Sequence, residues 1–219
     1  MRWVLLLAMA AVFPAAGFAE GAGMPRLRPP EAARPAMIPR TRWEHRRDAA
    51  LFTHAALSAL KAHGAPLVMA VPRDMAAWCP SYAQGDGTRR RAFWVGFLSA
   101  LAKHESTYDP GAVGGGRWYG LLQILPATAR GYGCRATSGA ALRHGPENLS
   151  CAIRIMARTV PRDGVIAAGG RGVAADWGPL HSAAKRADMQ HWLRAQSYCR
   201  PLSATRPRAR PDRLAGIAD

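Results

Sequence analysis

The chain has 219 residues, and 49% of them are apolar, which excludes a protein that is disordered throughout and allows one good-sized core with tails. Thirty lysines and arginines stand against 14 acidic residues, giving a net charge of +16 and favouring anionic polymers or surfaces as partners. Because the chain also begins like an exported protein, we expect no nucleic-acid partner.

The first 40 residues have the pattern of a cleavable secretory signal followed by a linker. Arg2 precedes an apolar run from residue 3 to residue 13, and small residues lead to Ala19, after which we expect cleavage. The apolar run is too short for an ordinary transmembrane helix. We therefore assign residues 1–19 to the signal and expect a periplasmic or otherwise exported monomer without a transmembrane segment. Residues 20–40, rich in proline and alanine, are predicted to be a linker.

An N-terminal helix and a connecting segment are predicted within residues 41–75. Apolar residues that can share one face predict a helix over residues 42–62, and Gly64 is a plausible end signal. The short apolar run at residues 67–71 is compatible with a strand or with part of a connecting loop.

The next predicted helix carries an acid on its apolar face. Trp94, Leu98, Leu101 and Glu105 recur at steps of four, three and four residues. A buried carboxylate costs free energy unless it is paired or neutral, and no basic residue stands beside it on that face. The residue before Pro110 avoids the helical region, so Glu105 is placed in or near the last turn. Burial and the helix dipole should both raise its pKa, as a general acid near neutral pH requires.

The remainder of a domain spanning residues 76–200 is predicted to be mainly α, with minor or no β structure. Thr88 is a candidate N-cap of the helix that carries Glu105. A glycine-rich loop follows, in which short strands are conceivable near Val113 and Trp118. Helices are then predicted over residues 126–130, from residue 146 to about 160 with Pro161 ending it, and from residue 183 to about 196. Residues 201–219 are read as a basic, disordered tail.

Four cysteines in an exported chain predict two disulfides, with three connectivities open. We favour Cys134–Cys151 because the two are close in sequence, and Cys79–Cys199 then follows by elimination. The competing interpretation is a zinc site, but no two cysteines have the spacing of a usual ligand pair. We therefore expect no metal and no cofactor.

Several segments, taken in order, resemble the motifs of the soluble lytic transglycosylase (SLT domain) family, which has the goose-type lysozyme-like fold. The segment at residues 105–110, Glu-Ser-Thr-Tyr-Asp-Pro, resembles the catalytic motif, and Gly-Leu-Leu-Gln-Ile at residues 120–124 resembles the second. Pro-Ala-Thr-Ala at residues 126–129 resembles the helix start that follows the second motif, and Asn148-Leu149 resembles the third motif. The resemblance extends over roughly residues 90 to 180.

This resemblance implies a peptidoglycan substrate, cut between N-acetylmuramic acid and N-acetylglucosamine. Glu105 would protonate the glycosidic oxygen and then act as base on the muramyl 6-hydroxyl, which closes a 1,6-anhydro ring. In the family the sugar's acetamido oxygen is thought to stabilise the intermediate, so no second carboxylate is required. The nearest other acid, Asp109, precedes a proline and is interpreted as a turn former.

The resemblance also implies roles for four residues around the acid. Ser106 would orient the substrate or Glu105, and Gly120, Leu122 and Gln123 would line the cleft. Plainer interpretations stay open: a backbone hydrogen bond for Ser106, core packing for Leu122, and a structural hydrogen bond for Gln123. Asn148 is interpreted as a helix cap or a structural hydrogen-bonding residue.

The fourth motif departs from the family pattern. The family usually has a Tyr-Asn-Ala-Gly stretch whose tyrosine hydroxyl lies near the catalytic glutamate, whereas residues 174–179 contain no tyrosine. Trp177 could stack on a sugar face but offers only a ring N–H, and Asp176 could be a polar substitute.

Two further functions stay open beside the lytic transglycosylase. One is a lysozyme-like muramidase, in which water attacks the same bond. The other is a catalytically weak protein that binds peptidoglycan or takes part in its assembly.

Overall fold

The computed structural model describes residues 38–201. The predicted signal at residues 1–19, the linker up to residue 37 and the basic tail from residue 202 lie outside the described residues. Within them the fold is mainly α, as predicted, with one short hairpin. The helices are α1 Ala49–Lys61, α2 Ala65–Met69, α3 Met75–Trp78, α4 Gly87–Glu105, α5 Pro126–Gly131, α6 Gly139–Leu142, α7 Gly145–Asp163 and α8 Ala183–Arg194.

The hairpin and four short 3-10 turns complete the described part. Strands β1, Val113–Gly114, and β2, Trp118–Tyr119, pair antiparallel. They are the two short strands that the sequence suggested near Val113 and Trp118. The 3-10 turns are Ala168–Gly170, Gly172–Ala175, Gly178–His181 and Ser197–Cys199.

Helix α4 runs through the core of the domain. Every residue from Ala92 to Ala102 is buried, so the helix is enclosed on all sides rather than on one face. It contacts α1, α2 and α8, and α1 and α2 also pack on α7. The start of α4 is capped by Asp86, whose carboxylate accepts the backbone N–H of Arg89 at 2.8 Å. The prediction of Thr88 as the N-cap was therefore wrong by two residues.

The predicted helix over residues 42–62 begins only at Ala49, because tertiary contacts hold the preceding residues in turns. The backbone N–H of Arg42 donates to Ser99 Oγ of α4 at 3.0 Å. Trp43 is fully buried, and its indole N–H donates to Thr53 Oγ1 at 3.0 Å. These contacts override the local helical pattern.

Two further predictions along the chain are corrected. The apolar run at residues 67–71, for which a strand or loop was expected, lies largely in α2, where Pro66 occupies the first turn and Leu67 is buried. Pro161 does not end α7, which continues to Asp163. It lies in the exposed last turn, and Gly164 ends the helix in the left-handed region at φ 66°.

Both predicted disulfides are present. Cys79–Cys199 joins the residue after α3 to the last 3-10 turn, and Cys134–Cys151 joins the loop after α5 to α7. The second bridge closes a short loop, which is worth on the order of 3 kcal/mol in the chain-entropy model. Between residues 38 and 201, no group of histidines, cysteines and acids could hold a metal ion. In the same range, no helix has the length and apolar character needed to cross a membrane.

Candidate active site

Glu105 is the last residue of α4, and its side chain lines an open pocket of about 330 Å³. The other walls come from the hairpin, the loop after it and the segment between α7 and α8. The lining residues are Glu105, Trp118, Gln123, Asp176, Trp177, Gly178 and Pro179. A buried helix thus ends in a carboxyl group at the edge of a cleft.

Burial raises the pKa of Glu105 from an ordinary 4.5 to about 7. The positive charge of Lys185, at the start of α8, opposes this increase and lowers the pKa by a smaller amount. No hydrogen bond connects the Glu105 carboxyl to another residue within 38–201. A carboxyl in this environment keeps its proton to near-neutral pH and can donate it to a bound ligand.

The chain reverses direction immediately after Glu105. Thr107 and Tyr108 have φ of 52° and 66°, in the left-handed region that residues other than glycine rarely adopt. The Ser106 hydroxyl donates to the carbonyl oxygen of Leu121 at 2.9 Å. Ser106 therefore ties the end of α4 to the loop of the second motif, and it is absent from the pocket lining.

Gly120 and Gln123 shape that loop through their backbones. Gly120 has φ 81°, and a Cβ there would collide with the carbonyl oxygen of Leu142, so only glycine fits. Gln123 has φ 46°, and its side-chain amide donates to the carbonyl oxygen of Gly120 at 2.9 Å. Gln123 makes a structural hydrogen bond and also lines the pocket. Gly120 is buried behind the pocket wall.

Leu122 does not line the pocket, because its side chain is fully buried in the core. Its backbone is held from two sides. The N–H donates to Asn148 Oδ1 at 2.9 Å, and the carbonyl oxygen accepts the indole N–H of Trp177 at 2.9 Å. Gly120 and Leu122 are thus buried outside the lining of this pocket, and both support its wall.

Asn148 is the centre of this support. Its side chain is fully buried in the first turns of α7, and its amide also donates to the carbonyl oxygens of Tyr119 at 2.8 Å and Leu142 at 2.9 Å. All these partners are backbone groups of other segments, so Asn148 is a structural hydrogen-bonding residue and not a helix cap.

The segment that replaces the family's fourth motif brings two side chains to the pocket. Trp177 lies in the wall with only 3% of its surface exposed, and its indole N–H donates to the carbonyl oxygen of Leu122. Its indole N–H is thus not free for a ligand. Asp176 lines the same pocket as Glu105, and desolvation raises the pKa of its carboxyl.

Sequence reasoning missed Trp118 as a site residue. Trp118 lines the pocket while 38% exposed, and the guanidinium of Arg117 lies 4.6 Å from its ring centroid. An exposed tryptophan at a cleft is the kind of side chain that binds a ligand face. The available signal was a large aromatic residue next to the glycine run in a predicted loop, where there is little core to bury it.

A family model and several solved structures are similar to this chain. Residues 82–168 match the family model described as the transglycosylase SLT domain. Three solved structures of Bd0314 DslA are similar, two of them of mutants in which one glutamate is replaced by glutamine. The two mutant structures have TM-scores of 0.68 and 0.67, and both are 29% identical to this chain. Each match covers 75% of this chain, and the matches cover 100% and 99% of the respective mutant chains. The wild-type form 2 has a TM-score of 0.64 at 26% identity, covering 75% of this chain and 100% of its own. No curated protein matches the sequence.

Proposed function

We propose that the protein is an exported peptidoglycan lytic transglycosylase, and the match of residues 82–168 to the transglycosylase SLT domain model supports this function. The bond cleaved is the β-1,4 linkage between N-acetylmuramic acid and N-acetylglucosamine. One observation carries the proposal: Glu105 ends a buried helix at an open pocket, unpaired among the described residues, with its pKa raised to about 7.

In the proposed reaction Glu105 acts first as an acid. Its protonated carboxyl gives the proton to the glycosidic oxygen while the bond from that oxygen to C1 of the muramyl sugar breaks. The sugar's own acetamido oxygen bonds to C1 and carries the developing positive charge. This step needs a neutral carboxylic acid, which burial of Glu105 supplies near neutral pH.

Glu105 then acts as a base. The carboxylate takes the proton of the 6-hydroxyl as O6 bonds to C1, the acetamido oxygen leaves C1, and a 1,6-anhydro ring results. The carboxyl is protonated again at the end, so the cycle closes without water. Proton transfer of this kind is typically worth roughly 10²- to 10⁴-fold in rate.

Export of the protein is part of the proposal. The two disulfides are typical of an oxidising compartment, and the sequence of residues 1–19 has the pattern of a secretory signal. The net charge of +16 suits a polymer that carries carboxylates.

A muramidase that hydrolyses the same bond is the second candidate, and Asp176 is the observation that favours it. Hydrolysis with two acids requires a second carboxyl beside the scissile bond, and Asp176 lines the pocket together with Glu105. In that reaction Asp176 would activate water or stabilise the sugar cation.

Digestion of purified sacculi separates these functions. We expect anhydro-muropeptides by mass spectrometry from the wild type and from Asp109→Asn, and none from Glu105→Gln. Asp109 is the matched control, because its carboxylate accepts the N–H of Gly111 at 2.8 Å in a turn outside the pocket. Products with a reducing end, lost in Asp176→Asn, would establish the hydrolase. A wild type that binds sacculi without releasing products would refute both enzymes.

A further inference from the structure

Asp188 of α8 contacts two cationic side chains and a histidine at once, and burial lowers the pKa of that histidine, His104. Arg42 donates from Nη1 at 2.6 Å and from Nη2 at 3.1 Å, one to each carboxylate oxygen. Lys103 Nζ lies 3.1 Å from Oδ1, and His104 Nε2 lies 2.8 Å from Oδ2. These contacts, led by Arg42, hold the pKa of Asp188 well below its usual range. We refer to Asp188, Arg42, Lys103 and His104 as the Asp188 clamp.

The clamp holds the end of α4. Lys103 and His104 are the two residues before Glu105, in the last turn of the helix. The final carbonyl groups of a helix have no partners within it, and this turn therefore frays most easily. Arg42 reaches the clamp from the segment before α1, and α8 supplies Asp188, so three distant parts of the chain meet there.

Glu105 depends on this turn for its position. Its carboxyl has no hydrogen-bond partner among residues 38–201, and the segment at residues 174–179 has no tyrosine to hold it. Arg42 and Asp188 both lie outside the residues that match the SLT domain, 82–168. The parts of the chain that flank this domain thus supply contacts to the turn that carries the acid.

We propose that Asp188 is a positioning residue for Glu105: it fixes the last turn of α4 and thereby keeps the carboxyl half-buried at the pocket wall. The catalytic consequence rests on the proposed function. The charge that acts on Glu105 is that of Lys185 on α8, and Asp176 shares the pocket wall. Lys103 and His104 precede Glu105 on α4 and contact Asp188. Removal of the Asp188 charge weakens its contacts to Lys103 and His104, and loosening of their turn exposes Glu105 to water. Exposure favours the ionised form of Glu105.

Asp188→Asn tests the proposal through kinetics. We expect kcat on sacculi to fall roughly 10- to 100-fold, as a displaced catalytic group requires, while KM changes by less than about twofold. The matched control is Asp74→Asn. Asp74 also has three partners, the backbone N–H groups of Ile166, Ala167 and Ala168 at 2.7 to 3.0 Å, but it lies outside the Glu105 pocket. The Asp74→Asn protein should be less stable to heat than the wild type and should have the same kcat.

A ¹³C NMR titration of the five glutamates gives a second readout that does not need activity. In Asp188→Asn the pKa of Glu105 should fall from about 7 toward its ordinary value, and in Asp74→Asn it should not. An unchanged pKa of Glu105 in Asp188→Asn overturns the proposal, and so does a kcat of Asp188→Asn equal to that of Asp74→Asn.

Two outcomes separate this proposal from the proposed function. If the wild type cleaves nothing, the proposed function fails, and the titration alone decides whether Asp188 positions Glu105. If Asp188→Asn does not fold, Asp188→Glu keeps the charge, lengthens the side chain and should show both effects in smaller measure.

Discussion

The indole N–H of Trp177 donates to the carbonyl oxygen of Leu122 over 2.9 Å, joining segments 55 residues apart behind the Glu105 pocket. Asn148 holds the N–H of the same leucine from the other side. Leu122, whose side chain does not line the pocket, thus fixes the position of the pocket wall through its backbone. The shape of this site depends on buried hydrogen bonds that no ligand touches.

Trp177→Phe keeps an aromatic ring in the wall and removes this donor together with part of the buried indole ring. The carbonyl oxygen of Leu122 is then buried without that partner, which should cost about 1–3 kcal/mol in the free energy of unfolding measured in urea. Because the loop carrying Gln123 is attached there, sacculus digestion should slow as well. Trp94→Phe removes the same atoms and is the matched control, since the buried indole of Trp94, in the first half of α4 and outside the Glu105 pocket, donates to the Tyr82 hydroxyl at 2.9 Å. It should lose stability and keep activity; equal loss of activity in both variants would contradict the prediction.

Trp118 should contribute binding rather than chemistry. Trp118→Ala removes the exposed ring from the pocket wall, and a lost aromatic contact of this size should raise KM roughly tenfold, or about 1.4 kcal/mol, with kcat nearly unchanged. Steady-state kinetics on soluble glycan fragments measures both quantities. Trp118→Tyr should restore most of the affinity. A fall in kcat at unchanged KM would mean that Trp118 acts on the reaction itself.

The pH dependence of cleavage follows from the raised pKa of Glu105. The first step requires the protonated acid, which prevails below the folded-state pKa of about 7. The initial rate should therefore decline as pH rises through about 7, roughly tenfold per pH unit on the alkaline side. Rates measured between about pH 5 and pH 9 on labelled sacculi would show this limb. A rate that stays level across this range would exclude Glu105 as the general acid.

The sequence was sufficient to predict features that depend on local patterns or on a resemblance. Periodicity placed Glu105 on the apolar face of a helix, and Pro110 after it placed it in or near the last turn, where the structure has it. The cysteine spacing together with an expected export favoured the pairing that the structure contains. Predictions failed where distant contacts decide. Nothing local shows that Arg42 is held by Ser99 and Asp188 in place of a helix, or that a fully buried Leu122 would serve through its backbone.

The pocket wall shows the same limit. The family resemblance selected Gln123, and Trp177 was named where the chain departs from the fourth motif; both line the pocket. The resemblance did not distinguish residues of the pocket wall from Gly120 and Leu122, which are buried outside its lining. Asp176, named from the sequence as a possible polar substitute, also lines the pocket. Trp118 was not selected, because it reaches the pocket only when the hairpin folds toward the end of α4, a proximity that belongs to the tertiary structure.

The final prediction concerns stability. Glu105 has a folded-state pKa of about 7 against 4.5 for the ordinary carboxyl, so between these values the native state holds a proton that the unfolded chain has released. Stability contributed by the neutral carboxyl is complete below about pH 4.5 and is lost as pH rises to about 7. Glu105→Gln cannot ionise and avoids this loss. Its free energy of unfolding should match the wild type near pH 4 and exceed it by about 1 to 3 kcal/mol at pH 8. Urea unfolding of both proteins at the two pH values measures the difference. A gap that is the same at pH 4 and pH 8 would mean that packing of the amide, and not ionisation of a buried acid, separates the two proteins.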